Sequence, residues 1–267
     1  MKTTITFLGT ADALPGAGRE GTSFLIDDGL LIDCGWYCAV RLQECGSHPL
    51  TVQTVFFTHC HPDHYGGLPG LLWWRGLGGR QVADLRPLHL VGPAEDLALV
   101  ANLCHRFLQA ERFKSTWPEI TTEALEPGET WETDRYRVET IRARHPVPAF
   151  SSRLTAKESG AVIAFSGDTG PNEAVVELAR GADLLIHEAT LAPEISDAEM
   201  KGDHSRAIDA ARIARAAGVK QLRLVHVQAH HAQASEEAAS TIFPGGALAR
   251  EGETMFLPNP SPRPPNP

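Results

Sequence analysis

Short apolar runs that end in a polar residue recur along the chain, with longer mixed segments between them. Apolar runs bounded by turn formers are typical of buried strands, and the longer segments have helical composition and spacing. The pattern predicts strands over Thr4–Leu8, Ser23–Ile26, Leu30–Gly35, Val55–Thr58, Pro87–Val91, Arg135–Arg144, Ala161–Phe165, Asp183–Ile186 and Leu222–Val225. It predicts helices over Trp36–Cys45, Leu68–Trp74, Ala94–Ala110, Pro171–Arg180 and Ala207–Ala217.

Strands that alternate with helices predict an α/β fold, in which the C-terminal ends of strands present the chemistry. Most of the predicted strands have His or Asp at their C-terminal end or within three residues after it. In the predicted helix Leu68–Trp74, Trp73 and Trp74 are predicted to be core aromatics. Seven of the 12 histidines lie in strand-end motifs: His59, His61, His64, His145, His187, His204 and His226.

A loop rich in metal-ligand side chains follows the predicted strand Val55–Thr58. His59, His61, Asp63 and His64 fall within six consecutive positions, and imidazole with carboxylate suits zinc or a similar divalent ion. His59 and His61 can point the same way from extended chain, whereas the adjacent Asp63 and His64 diverge. One ion cannot easily take all four, so the spacing suggests two metals side by side. The alternative is a polar turn with incidental histidines.

The bulk composition is that of a soluble globular protein, with 267 residues, 42% hydrophobic and 21% charged. We expect a single domain over residues 1–256 and a tail over residues 257–267, whose proline-rich sequence suits neither helix nor sheet. The formal net charge of −9 disfavours non-specific binding of nucleic acid, although it leaves a local basic patch open.

The chain contains no apolar run long enough to span a bilayer, and its N-terminus lacks a signal-peptide cleavage pattern. These features predict a cytoplasmic protein that has no membrane partner. Five cysteines, an odd number, fit reduced thiols in that compartment. Cys60 is the only cysteine within the histidine-rich loop, and we assign it no role.

From Thr4 to about His231 the sequence resembles the metallo-β-lactamase superfamily, and within it the ribonuclease Z branch. The resemblance implies a four-layer αβ/βα sandwich with two mixed sheets flanked by helices. The motifs that carry it are His-x-His-x-Asp-His at His59–His64, Gly-Leu-Pro-Gly-Leu-Leu at Gly67–Leu72, His-Glu-Ala-Thr at His187–Thr190 and His-Ser at His204–Ser205.

The resemblance also implies a site for two divalent ions. Zinc is the expected metal, and manganese is the alternative. A hydroxide held between ions about 3.5–4 Å apart would be the nucleophile. Asp33 resembles the aspartate that holds the metal loop from behind, and a turn cap is the equal alternative. The implied ligands are His59, His61 and His145 for one ion, Asp63, His64 and His226 for the other, and Asp168 as a bridge.

A carboxylate and a later histidine complete the implied catalytic set with Asp63. In ribonuclease Z-like phosphodiesterases such a pair passes a proton to the leaving oxygen, and here it would be Glu188 and His204. An alkoxide leaving group needs that proton, so the pair makes chemical sense. The alternative places His204 at the start of the following helix, with Asp203 as its cap.

The sequence departs from the family in two places. Ribonuclease Z carries a long arm that grips transfer RNA between the residues matched by His145 and Asp168. Here only Pro146–Gly167 joins them, and we expect a loop over Val147–Gly160 with Arg153 and Lys157 as its basic residues. The second departure is Val225-His226-Val227-Gln228, where the family has Thr-His-x-Ser.

The sequence therefore predicts a dinuclear metal-dependent hydrolase, specifically a phosphodiesterase on small or cyclic phosphodiesters. One alternative is a lactone or carboxylic ester hydrolase on the same metals, and another is a transfer-RNA 3′-processing endoribonuclease. A metal-binding module without turnover is the alternative outside the enzymes. The missing arm and the acidic charge disfavour long nucleic acid as a partner. A homodimer is implied by the resemblance only.

Overall fold

The computed structural model describes residues 2–82 and 84–257, which contain fourteen strands and seven α-helices. The strands are β1 (Thr3–Gly9), β2 (Ser23–Ile26), β3 (Leu30–Ile32), β4 (Thr54–Phe56), β5 (Leu88–Pro93), β6 (Ile120–Leu125), β7 (Thr130–Glu132), β8 (Tyr136–Arg142), β9 (Phe150–Ala156), β10 (Val162–Phe165), β11 (Leu184–Glu188), β12 (Leu222–Val225), β13 (Gly246–Leu248) and β14 (Thr254–Leu257). The helices are α1 (Cys38–Glu44), α2 (Pro62–Tyr65), α3 (Leu68–Gly78), α4 (Ala94–Phe107), α5 (Glu173–Leu178), α6 (Ala207–Ala217) and α7 (Ala232–Ile242).

The strands form two seven-stranded sheets with the same mixture of pairings. The first has the order β14-β1-β2-β3-β4-β5-β6 and the second β13-β12-β11-β10-β9-β8-β7. In each sheet three neighbouring pairs are antiparallel and three are parallel. Strands β4, β8, β10, β11 and β12 each run into one of the predicted site motifs at their C-terminal end.

Four layers follow from where the apolar side chains lie. Between the sheets, Phe7 and Phe56 of the first pack with Phe150 and Ile186 of the second in one buried cluster. Helices α1, α3 and α4 cover the outer face of the first sheet, and α5, α6 and α7 cover that of the second. The predicted four-layer sandwich is confirmed. No helix within residues 2–82 and 84–257 is long and apolar enough to cross a membrane.

The predicted loop Val147–Gly160 is wrong, because β9 (Phe150–Ala156) occupies half of it. This strand alternates buried and half-buried positions toward its end and pairs antiparallel with both β8 and β10. The two basic residues of the segment are engaged. Arg153 Nη1 donates to the carbonyls of Leu178 and Arg180, and Lys157 Nζ lies 2.7 Å from Glu132 Oε1.

Several smaller expectations are corrected. Helix α5 begins at Glu173 and not at Pro171, because the Asn172 side chain accepts from Ala174 N and caps the helix. Trp73 and Trp74 are 41% and 37% exposed, since α3 turns Leu68, Leu71 and Leu72 inward instead. The predicted tail starts one residue too early, because Leu257 still belongs to strand β14, and residues 258–267 lie outside the described residues.

Candidate metal centre

The histidine-rich loop is held from behind by Asp33, at the end of β3. Asp33 Oδ1 accepts from Thr58 N at 2.8 Å, and Oδ2 accepts from Thr58 Oγ1 at 2.8 Å and His64 Nδ1 at 2.9 Å. Asp33 is buried, and its bonds reach across to the loop instead of capping its own turn. Because a carboxylate only accepts, His64 carries its proton on Nδ1 and turns the lone pair of Nε2 the other way.

Three imidazoles form the first donor group. His61 Nδ1 lies 3.1 Å from both His59 Nε2 and His145 Nε2. Ligand nitrogens about 2.0–2.1 Å from a tetrahedral zinc are roughly 3.3 Å apart, so these nitrogens have the spacing of ligands around one ion. His145 Nδ1 donates to the carbonyl of Asp203 at 3.1 Å, which leaves its Nε2 lone pair free.

The second donor group lies beside the first. Asp63 Oδ2 is 3.3 Å from His64 Nε2 and 3.2 Å from His226 Nε2. The ligand atoms of these three buried side chains lie within 4.8 Å of one another, as do those of the first group. Burial raises the pKa of Asp63, but the adjacent imidazoles of His226 and His64 outweigh it and hold the pKa far below its ordinary value.

Asp168 lies between the two groups. Its Oδ2 is 3.8 Å from His59 Nε2, 3.6 Å from His64 Nε2 and 3.4 Å from His226 Nε2. The preceding Gly167 makes this position reachable, because it adopts φ +58° and a Cβ there would lie 2.4 Å from the carbonyl oxygen of Phe150. The carboxylate predicted as a bridge therefore faces both groups.

Two observations test whether these residues suit divalent ions. His64 Nε2 is fully buried and has no hydrogen-bond partner among the described residues, an arrangement that costs free energy unless an ion completes it. Burial lowers the pKa of His64, yet the carboxylates of Asp168 and Asp33 outweigh it and raise that pKa well above its ordinary value. A pocket that attracts positive charge and presents nitrogen and carboxylate donors fits a metal pair.

Glu188 and His204 adjoin this cluster. Glu188 Oε1 accepts from His204 Nδ1 at 2.9 Å and from Thr169 N at 2.9 Å. Burial lowers the pKa of His204, but the hydrogen bond and charge of Glu188 outweigh it and raise the pKa to about 9. With a pKa in this range, the imidazole of His204 is protonated at neutral pH. Because Nδ1 is bonded to Glu188, Nε2 is the nitrogen that can face a substrate. The side chain is 23% exposed, so solvent and small molecules reach it.

His204 also lies close enough to the metal donors to compete for a ligand role. Its ligand atom is within 4.8 Å of those of His145 and Asp168. The helix-start alternative is wrong, because α6 begins at Ala207 and Arg206 occupies the cap position, where its backbone N donates to Asp209. The hydrogen bond to Glu188 favours the role of His204 as a proton donor over that of a metal ligand. The metal content of a His204 variant distinguishes these two roles.

Sequence reasoning left the threonines of the site without a role. Thr190, the last residue of His-Glu-Ala-Thr, hydrogen-bonds both Glu188 and His226. His187, which the implied ligand set leaves out, is buried and donates from Nδ1 to the Glu188 carbonyl. Burial raises the pKa of Cys60 to about 12, which keeps it a thiol at neutral pH.

Known proteins resemble this chain in both sequence and fold. Residues 29–227 match the family model described as a β-lactamase superfamily domain. The chain belongs to the metallo-β-lactamase superfamily. It is a metal-dependent hydrolase related to ribonuclease Z, as the sequence motifs predict. The ribonuclease Z of Methanothermobacter thermautotrophicus is 30% identical in an alignment that covers 90% of this chain and 92% of the relative.

Solved structures of the superfamily share the fold at lower identity. The metallo-β-lactamase fold protein YhfI of Bacillus subtilis superposes with a TM-score of 0.81 at 22% identity, over 96% of this chain and 100% of that one. The short form of human tRNase Z gives 0.77 at 24% identity, over 96% and 99%. A diphosphatase of the PhnP family gives 0.71 at 20% identity, over 97% and 99%. A superfamily fold of this kind implies divalent metal ions.

Proposed function

We propose that this chain is a dinuclear metal-dependent phosphodiesterase that acts on small or cyclic phosphodiesters. The observation that carries the proposal is the Glu188–His204 pair beside the metal donors, 2.9 Å apart and open to solvent on the histidine side. Hydrolysis of a phosphodiester expels an alkoxide, and a positioned acid lowers that barrier. Carboxylic ester hydrolysis needs the acid to a smaller degree.

Seven residues would hold the ions. His59, His61 and His145 would bind one, Asp63, His64 and His226 the other, and Asp168 would face both. Five imidazoles and two carboxylates favour zinc, with manganese as the second choice. When bound, a pair of divalent ions polarises the phosphoryl group and makes a water nucleophilic near neutral pH.

Two residues of the chain, Glu188 and His204, would supply the proton for the leaving group. Glu188 is fixed by four hydrogen bonds, from Thr169 N, Thr190 N, Thr190 Oγ1 and His204 Nδ1. A carboxylate held in this way keeps the His204 ring in one orientation, with Nε2 directed away from it. His204 would donate its proton to the leaving oxygen as the phosphorus–oxygen bond breaks, and would recover it from solvent.

The segment between His145 and Asp168 supports a small substrate. It is a hairpin arm of the sheet, with β9 paired on both sides and its two basic residues bound to protein oxygens. It therefore offers no extended grip on a polyphosphate backbone, which depends on free basic side chains. The His204 side chain is 23% exposed, so a small substrate can reach it.

A second candidate function is RNA 3′ processing. Relatives named ribonuclease Z, at 26–30% identity over most of the chain, favour it. A basic surface elsewhere or a second subunit would then have to replace the missing arm.

A substrate panel tests the proposal. The purified protein, reconstituted with zinc or manganese, is assayed on alkyl and aryl phosphodiesters, a phosphomonoester and a lactone. The proposal requires the highest kcat/KM on phosphodiesters. A preference for the lactone by more than tenfold would replace it with ester hydrolysis, and no turnover of any substrate by metal-loaded protein would favour a binding module.

A further inference from the structure

We propose that Thr190 is a positioning residue that fixes the tautomer of His226 and so prepares the second ion site. The threonine touches neither the predicted ions nor the substrate, and acts through the imidazole beside it. The inference rests on the proposed metal pair and adds to it a determinant of affinity that lies outside the ligand set.

The direction of each hydrogen bond carries the inference. Thr190 Oγ1 is 2.6 Å from Glu188 Oε2 and 2.8 Å from His226 Nδ1. A hydroxyl has one proton, and a carboxylate can only accept, so that proton goes to Glu188. Thr190 must then accept from His226, which requires the imidazole proton on Nδ1. The His226 Nε2 lone pair is left facing Asp63 Oδ2 at 3.2 Å and Asp168 Oδ2 at 3.4 Å.

The same arrangement occurs on the opposite side of the site. Thr58 Oγ1 donates to Asp33 Oδ2 at 2.8 Å and lies 3.2 Å from His59 Nδ1. His59 is thereby also held with its proton on Nδ1 and its Nε2 toward the first donor group. Two independent carboxylate–threonine–histidine chains with the same polarity argue that the hydroxyls direct the protons and do more than fill space.

Thr190 has a second consequence, because its acceptor is the carboxylate that orients His204. Oε2 of Glu188 bonds Thr190 while Oε1 bonds His204. One carboxylate therefore aligns a ligand of the second ion and the proposed acid together. Without the hydroxyl, His226 Nδ1 loses its acceptor. No hydrogen bond from Thr190 would then hold the ring in the tautomer whose unprotonated Nε2 faces Asp63 and Asp168.

The experiment compares Thr190→Val, which keeps the shape and removes the hydroxyl, with Thr190→Ser, which keeps the hydroxyl. Metal-free proteins are titrated with zinc against a chromophoric chelator, and their thermal unfolding is measured without metal. We expect wild type and Thr190→Ser to bind two ions alike. Thr190→Val should bind one ion as wild type does and the other about 10–100-fold more weakly, the usual effect of losing a ligand's hydrogen-bond partner.

Two results would overturn the inference: Thr190→Val binding both ions as tightly as wild type, or Thr190→Ser weakened as much as Thr190→Val. If the valine variant does not fold without metal, Thr190→Ala removes the hydroxyl without its bulk and is judged by the same criteria. Wild type that binds fewer than two ions would instead overturn the dinuclear function, and this inference with it.

Discussion

Replacing His204 by alanine should slow hydrolysis of alkyl phosphodiesters without loss of metal. The structure separates these effects, because Glu188 keeps its three bonds from Thr169 and Thr190 when His204 is removed. The ring is 23% exposed, so its loss opens no cavity in the core. Removing a general acid costs about 10²–10⁴-fold, which is about 2.7–5.4 kcal/mol of transition-state stabilisation.

The decisive comparison is between leaving groups. A nitrophenolate leaves without a proton, so the loss of kcat in His204→Ala should shrink markedly on the aryl diester and persist on the alkyl diester. His48→Ala, at an exposed histidine before β4, serves as the matched control and should leave both rates unchanged. An equal loss on both substrates would refute the relay, and loss of bound metal would make His204 a ligand.

Three further predictions follow from the same geometry. Asp63→Ala should lower metal content and activity together, measured by elemental analysis and kcat/KM, and a variant that keeps two ions would contradict the ligand role. Gly167→Ala should lower the free energy of unfolding, measured with denaturant, by about 1–3 kcal/mol because of its φ of +58°. The overlap of the added Cβ with the carbonyl oxygen of Phe150 should lower it further. Gly181→Ala, at φ +63° with nothing within 4 Å of an added Cβ, should cost less, and equal losses would count against the overlap. The kcat/KM on a small phosphodiester should exceed that on precursor transfer RNA, and efficient cleavage at the 3′ trailer would reverse the assignment.

The parts of the fold that sequence periodicity captured are the buried ones. Three of the four residues of strand β12 are apolar and buried, and its predicted bounds, Leu222–Val225, are those observed. Strand β6 was missed because Ile120–Leu125 is mostly exposed and carries polar residues, so its pairing with β5 left little hydrophobic signal. Strand β9 was missed for a related reason, since a Ser-Ser-Arg-Leu-Thr sequence between two turns has weak apolar alternation.

The residues of the candidate site could be predicted where a motif contains side chains that bind metals. They could not be predicted where a role depends on hydrogen bonds made in the folded chain. The histidines and carboxylates came from residue type at strand ends, and the fold brings all of them to one edge. Roles for Thr58 and Thr190 could not be predicted, because threonine is not a metal ligand of the expected kind. The significance of each depends on which imidazole the fold brings within 3.2 Å or 2.8 Å of its hydroxyl. The αL backbone of His226, at φ +54°, likewise leaves no mark in composition.

Metal stoichiometry tests the central claim most directly. The purified chain, stripped of metal and reconstituted with excess zinc or manganese, is passed through a desalting column and analysed for metal per protein. Seven convergent donors, with Asp168 facing both groups, predict two equivalents per chain. One equivalent or fewer after reconstitution, in protein that is folded by thermal unfolding, would contradict the dinuclear centre and the mechanism built on it.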